Sequence, residues 1–174
     1  MTGDDTALPN NVRLRPAGET DWPQLTRWLR DPAVQKWWGH AADAEAAIRL
    51  ILETPSAMGR IIEVGDRPVG YTHAIEATFW GETLPDDLPD WTWDVDLFIA
   101  EAEYRGKGVG KQALELLADE VFGSTFAMAL SVFVPVKNEA AVRSYEQAGF
   151  KWVSVWDDPI AGPVWLMLRQ RPKK

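Results

Sequence analysis

Arg105-Gly106-Lys107-Gly108-Val109-Gly110 is a basic, glycine-rich turn between two segments of different periodicity. Before it, Trp91 to Ala100 alternates as a strand. After it, Gly108 to Phe122 carries apolar residues at helical spacing, with Val109, Ala113, Leu116, Leu117 and Val121 expected inward. Glycines at such a junction let the backbone turn tightly and approach a ligand. The free amides and positive dipole end of the following helix then make an anion site that fits a pyrophosphate. A purely structural turn would carry the same residues. Neither a P-loop nor a dinucleotide fingerprint is present, because no Gly-Lys-Ser/Thr occurs and the glycine spacing differs from the Rossmann pattern.

Upstream of this turn, Val12 to Arg15 alternates as a short strand. A helix starts at Glu19-Thr20-Asp21, carries Trp22, Leu25, Trp28 and Leu29 on one face, and stops at Asp31-Pro32. Trp37-Trp38-Gly39-His40 separates it from a second helix, Asp43 to Leu52, with Asp43 as its cap. Arg60 to Val64 and Val69 to Phe79 read as a β-hairpin, followed by a polar loop from Trp80 to Asp90. Downstream, Phe126 to Val134 is a near-continuous apolar run and so a buried central strand. Asn138 to Ala148 is helical and Gly149 stops it. Lys151 to Trp156 and Val164 to Arg169 close the chain as a hairpin whose last strand, read as an edge, could pair between subunits. The order β, α, α, β, β, β, α, β, α, β, β makes residues 11–174 one α/β (α+β) domain after a disordered segment at 1–10.

The chain has 174 residues, of which 46% are apolar and 25% charged, enough for one full core. Its 18 basic and 26 acidic residues leave a net charge of −8, which disfavours general nucleic-acid binding through phosphates. The absence of Cys removes disulfides and thiolate chemistry, and with two His a metal site is not expected. Residues 1–10 lack the basic and apolar regions of a secretory signal, and no apolar run reaches the length of a membrane span, so the expected location is the cytoplasm with no membrane partner. Ten Trp are too many for one core of this size, and some should line a groove.

Between Arg67 and Arg105 there is no Lys or Arg, and nine acids occur: Glu76, Glu82, Asp86, Asp87, Asp90, Asp94, Asp96, Glu101 and Glu103. Such a block concentrates cations at a negative mouth, or simply keeps a loop solvated. Trp80, Trp91 and Trp93 interleave with it, and aromatic faces beside carboxylates suit ammonium groups or sugar rings. Asp94 and Asp96 alternate with their neighbours and so point to one face of their strand.

Arg105-x-x-Gly108-x-Gly110 resembles the acetyl-CoA pyrophosphate loop of the Gcn5-related N-acetyltransferase (GNAT) superfamily, and Asn138, Tyr145 and Gly149-Phe150 resemble its second cofactor motif. The element order matches over nearly the whole chain. The resemblance implies a single mixed, mostly antiparallel six- to seven-stranded sheet, splayed between the strands at Trp91 to Ala100 and Phe126 to Val134, with helices on both faces. It also implies that Arg105, Gly106, Lys107, Gly108, Val109, Gly110 and Lys111 hold the pyrophosphate of acetyl-CoA. Backbone groups of Leu97, Phe98 and Ile99 would bond the pantetheine amides, Asn138 would bind the cofactor, and Tyr145 would protonate the departing thiolate. An ammonium acceptor with a pKa of about 9–10.4 needs a base. Asp96 is the first choice, with Asp94 second or a substrate anchor.

Arg13-Leu14-Arg15, Trp37-Trp38-Gly39, Val69-Gly70-Tyr71 and the strand with Asp96 look like the aminoglycoside 6'-N-acetyltransferases. That likeness implies transfer of acetyl to the 6'-amine of an aminoglycoside. Together with the acidic block it sets the expectation of a cationic amine substrate held by Trp38, Trp80, Asp86, Asp87, Trp91, Trp93 and Asp94; a monomer or homodimer is expected. Phe133-Val134-Pro135 stands where that group often shows Asp-Pro. Hydroxylysine or siderophore acyltransferases share the Trp-Trp-Gly segment and are the main enzyme alternative, and an acyl-CoA-binding sensor is the non-enzymatic one.

Overall fold

The computed structural model describes residues 11–81 and 83–173. The disordered start expected for residues 1–10, and Glu82 of the acidic block, lie outside the described residues. Seven strands, β1 (Val12–Pro16), β2 (Met58–Val64), β3 (Arg67–Glu76), β4 (Thr92–Ile99), β5 (Ala129–Pro135), β6 (Lys151–Asp158) and β7 (Gly162–Gln170), form one sheet in the order β1-β2-β3-β4-β5-β7-β6. β4 and β5 alone run parallel, because the helix α4 (Val109–Ser124) crosses over between them, while every other neighbouring pair is antiparallel.

Each face of the sheet has its own core. On one, α1 (Trp22–Leu29), α2 (Pro32–Trp38) and α3 (Ala41–Glu53) bury Leu25, Trp28 and Ile48 against Ile61, Tyr71 and Phe98. On the other, α4 and α5 (Glu139–Gln147) bury Leu117, Val121 and Val142 against Trp93, Val95, Leu130 and Val132. The parallel pair is short: Thr92–Asp94 match Ala129–Ser131, and pairing stops there. β4 runs on to Ile99 beside β3 alone, and β5 to Pro135 beside β7 alone. The sheet therefore opens between them, as the sequence reading expects.

The start of the chain is tied down by ion pairs. Arg15 forks onto Asp21 at 2.8 and 3.0 Å and reaches Glu63 at 2.8 Å, while Arg13 holds the other Glu63 oxygen at 2.7 Å. Burial opposes charge on Asp21 and Glu63, but the guanidinium hydrogen bonds outweigh it and hold both carboxyls below their ordinary range. Arg13-Leu14-Arg15 thus pins β1 to β2 and to the turn that starts α1.

Several expectations need correction. Asp31-Pro32 does end α1, but it also starts α2: the Asp31 carboxylate accepts from the Ala33 amide and Pro32 takes the first helical position. α3 starts at Ala41, with His40 at its cap position and Asp43 inside its first turn. Leu116 faces solvent and Leu114 takes its place in the core. β5 begins at Ala129, leaving Phe126 89% exposed. The edge strands are β1 and β6, and β7 lies inside between β5 and β6, so pairing between subunits cannot use β7. Trp93 belongs to the core beneath α4, because strand alternation turns it away from Asp94 and Asp96.

Gly70 leaves no room for a side chain between β3 and β4, since a Cβ there would sit 2.2 Å from the Phe98 carbonyl oxygen. Gly70→Ala must push two backbones apart, at about 1–3 kcal/mol, and in a chain of this size the melting temperature should drop by roughly 2–12 °C. Calorimetry with an unchanged melting temperature would show that the strands can separate freely.

Candidate active site

The opening between β4 and β5 is the floor of a groove of about 660 Å3, within the range of small-molecule sites. One end is the glycine-rich turn. Gly108 stands at the cap of α4 with φ 76°, a left-handed conformation that glycine adopts without strain, and it leaves the first amides of a 16-residue helix facing the groove. Arg105, Gly106, Val109, Gly110 and Lys111 line the same end, whereas Lys107 does not. The Arg105 guanidinium is turned back onto the end of β4, donating to the Ile99 carbonyl at 2.7 Å and the Ala100 carbonyl at 2.6 Å. Two of the five guanidinium N–H donors of Arg105 are therefore committed to the end of β4.

At the centre of the groove Asp96 meets Tyr145. The Tyr145 hydroxyl donates to Asp96 Oδ1 at 3.2 Å, and the same oxygen accepts from the Leu97 amide at 2.7 Å. Tyr145 packs on the α4 and α5 side of the sheet and reaches Asp96 where the strands have parted. Burial pushes the Asp96 carboxyl up to about 7 against the pull of these two donors. Burial first, then the charge and hydrogen bond of Asp96, pushes the Tyr145 phenol well above its ordinary range, so it keeps its proton. The pair is therefore a carboxylate that can take a proton near neutral pH beside a phenol that can give one.

Asp94 lies behind this pair, buried at the last position of β4 that pairs with β5. Its Oδ2 accepts from the Trp80 indole at 2.8 Å and its Oδ1 from the Ser131 hydroxyl at 3.2 Å. Burial and the neighbouring charge of Asp96 push it up to about 8. Asp94 and Trp80 thus engage each other rather than the groove. Trp38 lines the groove, and Asn138 lines it while also capping α5 by accepting from the Ala141 amide at 3.2 Å. Leu97, Phe98 and Ile99 line it too. Asp86, Asp87 and Trp91 are exposed on the loop before β4 and lie outside it.

Two contributors escaped the sequence reading. The α2 side of the groove, with Val34 and Trp37, is hidden in the sequence because Asp31-Pro32 reads as a helix stop. His73 stands opposite Asp96 across β3 and β4, its ring 5.8 Å from Trp38 and 6.1 Å from Trp80. Burial lowers it to about 4, so it is neutral, and its Nδ1 has no partner among the described residues. Strand pairing, which no local pattern encodes, puts it there. Among the described residues no three His, Asp or Glu gather as a metal site, and no helix is long and apolar enough to cross a membrane.

The raised carboxyls link the site to stability. An unfolded Asp titrates near about 3.9, so above that pH the folded chain holds protons the unfolded chain has released, and stability falls as pH rises through about 8. His73, lowered instead, has the opposite sign, but only below about 6.5. Between pH 6.5 and 8.5 the wild-type melting temperature should decline, and Asp94→Asn, whose oxygen can still accept from Trp80 while its amide donates to the Ser131 hydroxyl, should flatten the decline. Parallel slopes for the two proteins would refute the buried-carboxyl assignment.

Comparison with known proteins agrees with this geometry. A family profile described as an acetyltransferase (GNAT) domain matches residues 17–157. The aminoglycoside N(6')-acetyltransferase type 1 of Klebsiella pneumoniae is 26% identical over 170 residues, with 93% of this chain and 84% of the relative covered. The structure of AAC(6')-Ib in complex with ribostamycin and coenzyme A superposes with a TM-score of 0.82 at 26% identity, over 93% of this chain and 94% of the other. An aminoglycoside N(6')-acetyltransferase from Legionella pneumophila shares the fold, with a TM-score of 0.75 at 20% identity over 92% of each chain. A splayed mixed sheet, a glycine-rich helix start at the opening and a profile match over most of the chain lead to one assignment: the chain belongs to the GNAT acetyltransferase family.

Proposed function

We propose that this acetyltransferase moves the acetyl group of acetyl-CoA directly to a primary amine of a cationic small molecule, and that the amine is the 6'-amine of an aminoglycoside antibiotic. The observation that carries the chemistry is the Asp96–Tyr145 contact in a groove that ends at the start of α4. The groove suits acetyl-CoA: its glycine-rich end offers backbone amides to a pyrophosphate, and the unpaired stretch of β4 offers backbone groups to an amide-bearing arm. Gly106, Gly108, Val109, Gly110 and Lys111 would hold the phosphates, with Leu97 and Asn138 along the arm. When bound, acetyl-CoA supplies the activated acetyl thioester.

The residues then divide the proton work. Asp96 takes a proton from the acceptor's ammonium, which must lose it before nitrogen can attack. Tyr145 gives its hydroxyl proton to the departing sulfur, and the 3.2 Å contact lets Asp96 return a proton to the phenol. The second nitrogen proton leaves to solvent. The aminoglycoside assignment rests on the 26% identical relatives and on the exposed Asp86, Asp87 and Asp90 of the loop before β4, which attract a polycation. A thiol-release assay across kanamycin-like aminoglycosides, polyamines, hydroxylamino acids and peptides tests it. Turnover of hydroxylamino acids or peptides without aminoglycosides would reassign the acceptor.

The pair itself makes sharper expectations. Asp96 is protonated below about 7, so kcat/KM should fall with decreasing pH below that point, and Asp96→Asn should remove this limb. Tyr145→Phe keeps the ring and should cut kcat by roughly 10²–10⁴ while leaving CoA affinity nearly intact. If kcat is unaltered when chemistry limits turnover, Tyr145 is only a packing residue.

Asp86→Asn and Asp87→Asn should mainly raise KM for the acceptor, and salt should weaken the acceptor more steeply than acetyl-CoA. Salt and charge effects confined to acetyl-CoA would make the acidic loop a solvated surface.

A further inference from the structure

Leu97 sits where β4 has left β5: its partner across the sheet is Thr72 of β3, and no β5 residue pairs with β4 beyond Asp94. Side chains close its backbone groups instead. The amide donates to Asp96 at 2.7 Å, and the carbonyl accepts from the Trp38 indole Nε1 at 3.3 Å. Two residues on, the Ile99 carbonyl accepts from Arg105 Nε at 2.7 Å. The open strand edge, which offers free carbonyls to any extended chain that docks on it, is therefore already capped.

The two carbonyl caps differ in strength. Arg105 is charged, its bond is short, and its guanidinium is held a second time by Ala100 at 2.6 Å. The Trp38 bond is neutral and longer than the usual N–H···O distance of about 2.9–3.0 Å. Trp38 also packs edge-on against Tyr71 and His73, so a turn of its ring exchanges those contacts for others. Trp38 is the last residue of α2, it precedes Gly39 at φ 77°, and its half-buried ring lines the groove edge-on to Phe98. The unpartnered Nδ1 of His73 belongs to a ring 5.8 Å away and accepts an indole N–H in the tautomer protonated at Nε2.

We propose that Trp38 is a positioning residue that competes with an amide N–H of the acyl donor for the Leu97 carbonyl, so that seating the donor turns the indole N–H away from β4. This rests on the acetyl-CoA reading above and adds a coupling to it. The residue that walls the acceptor side of the groove adopts its working orientation only after the donor arm is in place. The competition weakens donor binding by about one neutral hydrogen bond, and removing the indole N–H while keeping an aromatic ring should return that affinity.

Titration calorimetry on Trp38→Phe with two ligands tests this. CoA carries the amides, whereas adenosine 3',5'-bisphosphate carries phosphates and no amide. CoA should bind about two- to tenfold more tightly than to wild type, with the bisphosphate unchanged. Unchanged or weaker CoA binding, or a parallel change for both ligands, overturns the proposal. In the wild-type protein, the Trp38 indole 15N–H resonance, assigned by its loss in Trp38→Phe, should shift on adding CoA and stay in place with the bisphosphate. A resonance that CoA leaves unmoved also overturns it. A wild-type chain that binds no CoA would instead overturn the acetyl-CoA reading, and this proposal with it.

Discussion

The parting of β4 from β5 after three residue pairs is the constraint on which the rest of the site depends. A parallel strand continued to Ile99 would fill the opening with ladder hydrogen bonds and leave neither a groove nor a reason for side chains to cap Leu97. Because pairing stops at Asp94 and Ser131, Asp96 falls at the mouth of the gap, Tyr145 can reach it from α5, and the start of α4 faces the same opening. Each strand stays held on its other side, β4 by β3 and β5 by β7, so the opening costs only the missing ladder bonds between two supported edges.

That opening also explains the electrostatics. Two carboxyls two residues apart on one strand face, Asp94 buried and Asp96 half-buried beside an aromatic cluster of Trp38, Tyr71, His73 and Trp80, cannot both ionise cheaply. Asp94 is supported by Trp80 and Ser131, and Asp96 by Tyr145 and the Leu97 amide. The result is a group that titrates near neutral pH next to one that keeps its proton, in a chain whose net charge of −8 already favours cationic partners.

Trp80 and Trp93 show where residue type alone misleads. Both interleave with acids in the sequence, yet alternation sends Trp93 into the core under α4, and Trp80 uses its N–H on Asp94. Asp31-Pro32 shows the same for helix punctuation, since Pro is as good at a first helical position as it is at stopping the helix before. Arg105 is basic within an anion-binding turn but uses its charge on two carbonyls of β4.

The sequence by itself determined what depends on local pattern and backbone chemistry. This includes the order of the seven strands and of every helix but α2, the glycine turn at the start of α4, the helix that Asn138 opens, and the common face of Asp94 and Asp96. These follow from periods of two and 3.6 residues and from the conformations that Gly permits, which neighbours in the chain specify. Tertiary structure decided which distant residues share a place. Tyr145 meets Asp96, 49 positions apart, His73 faces Asp96 across two strands, Trp38 reaches Leu97, and β7 rather than β6 lies inside the sheet. Such contacts depend on strand pairing and on where that pairing stops, which packing across both faces settles and no single segment encodes.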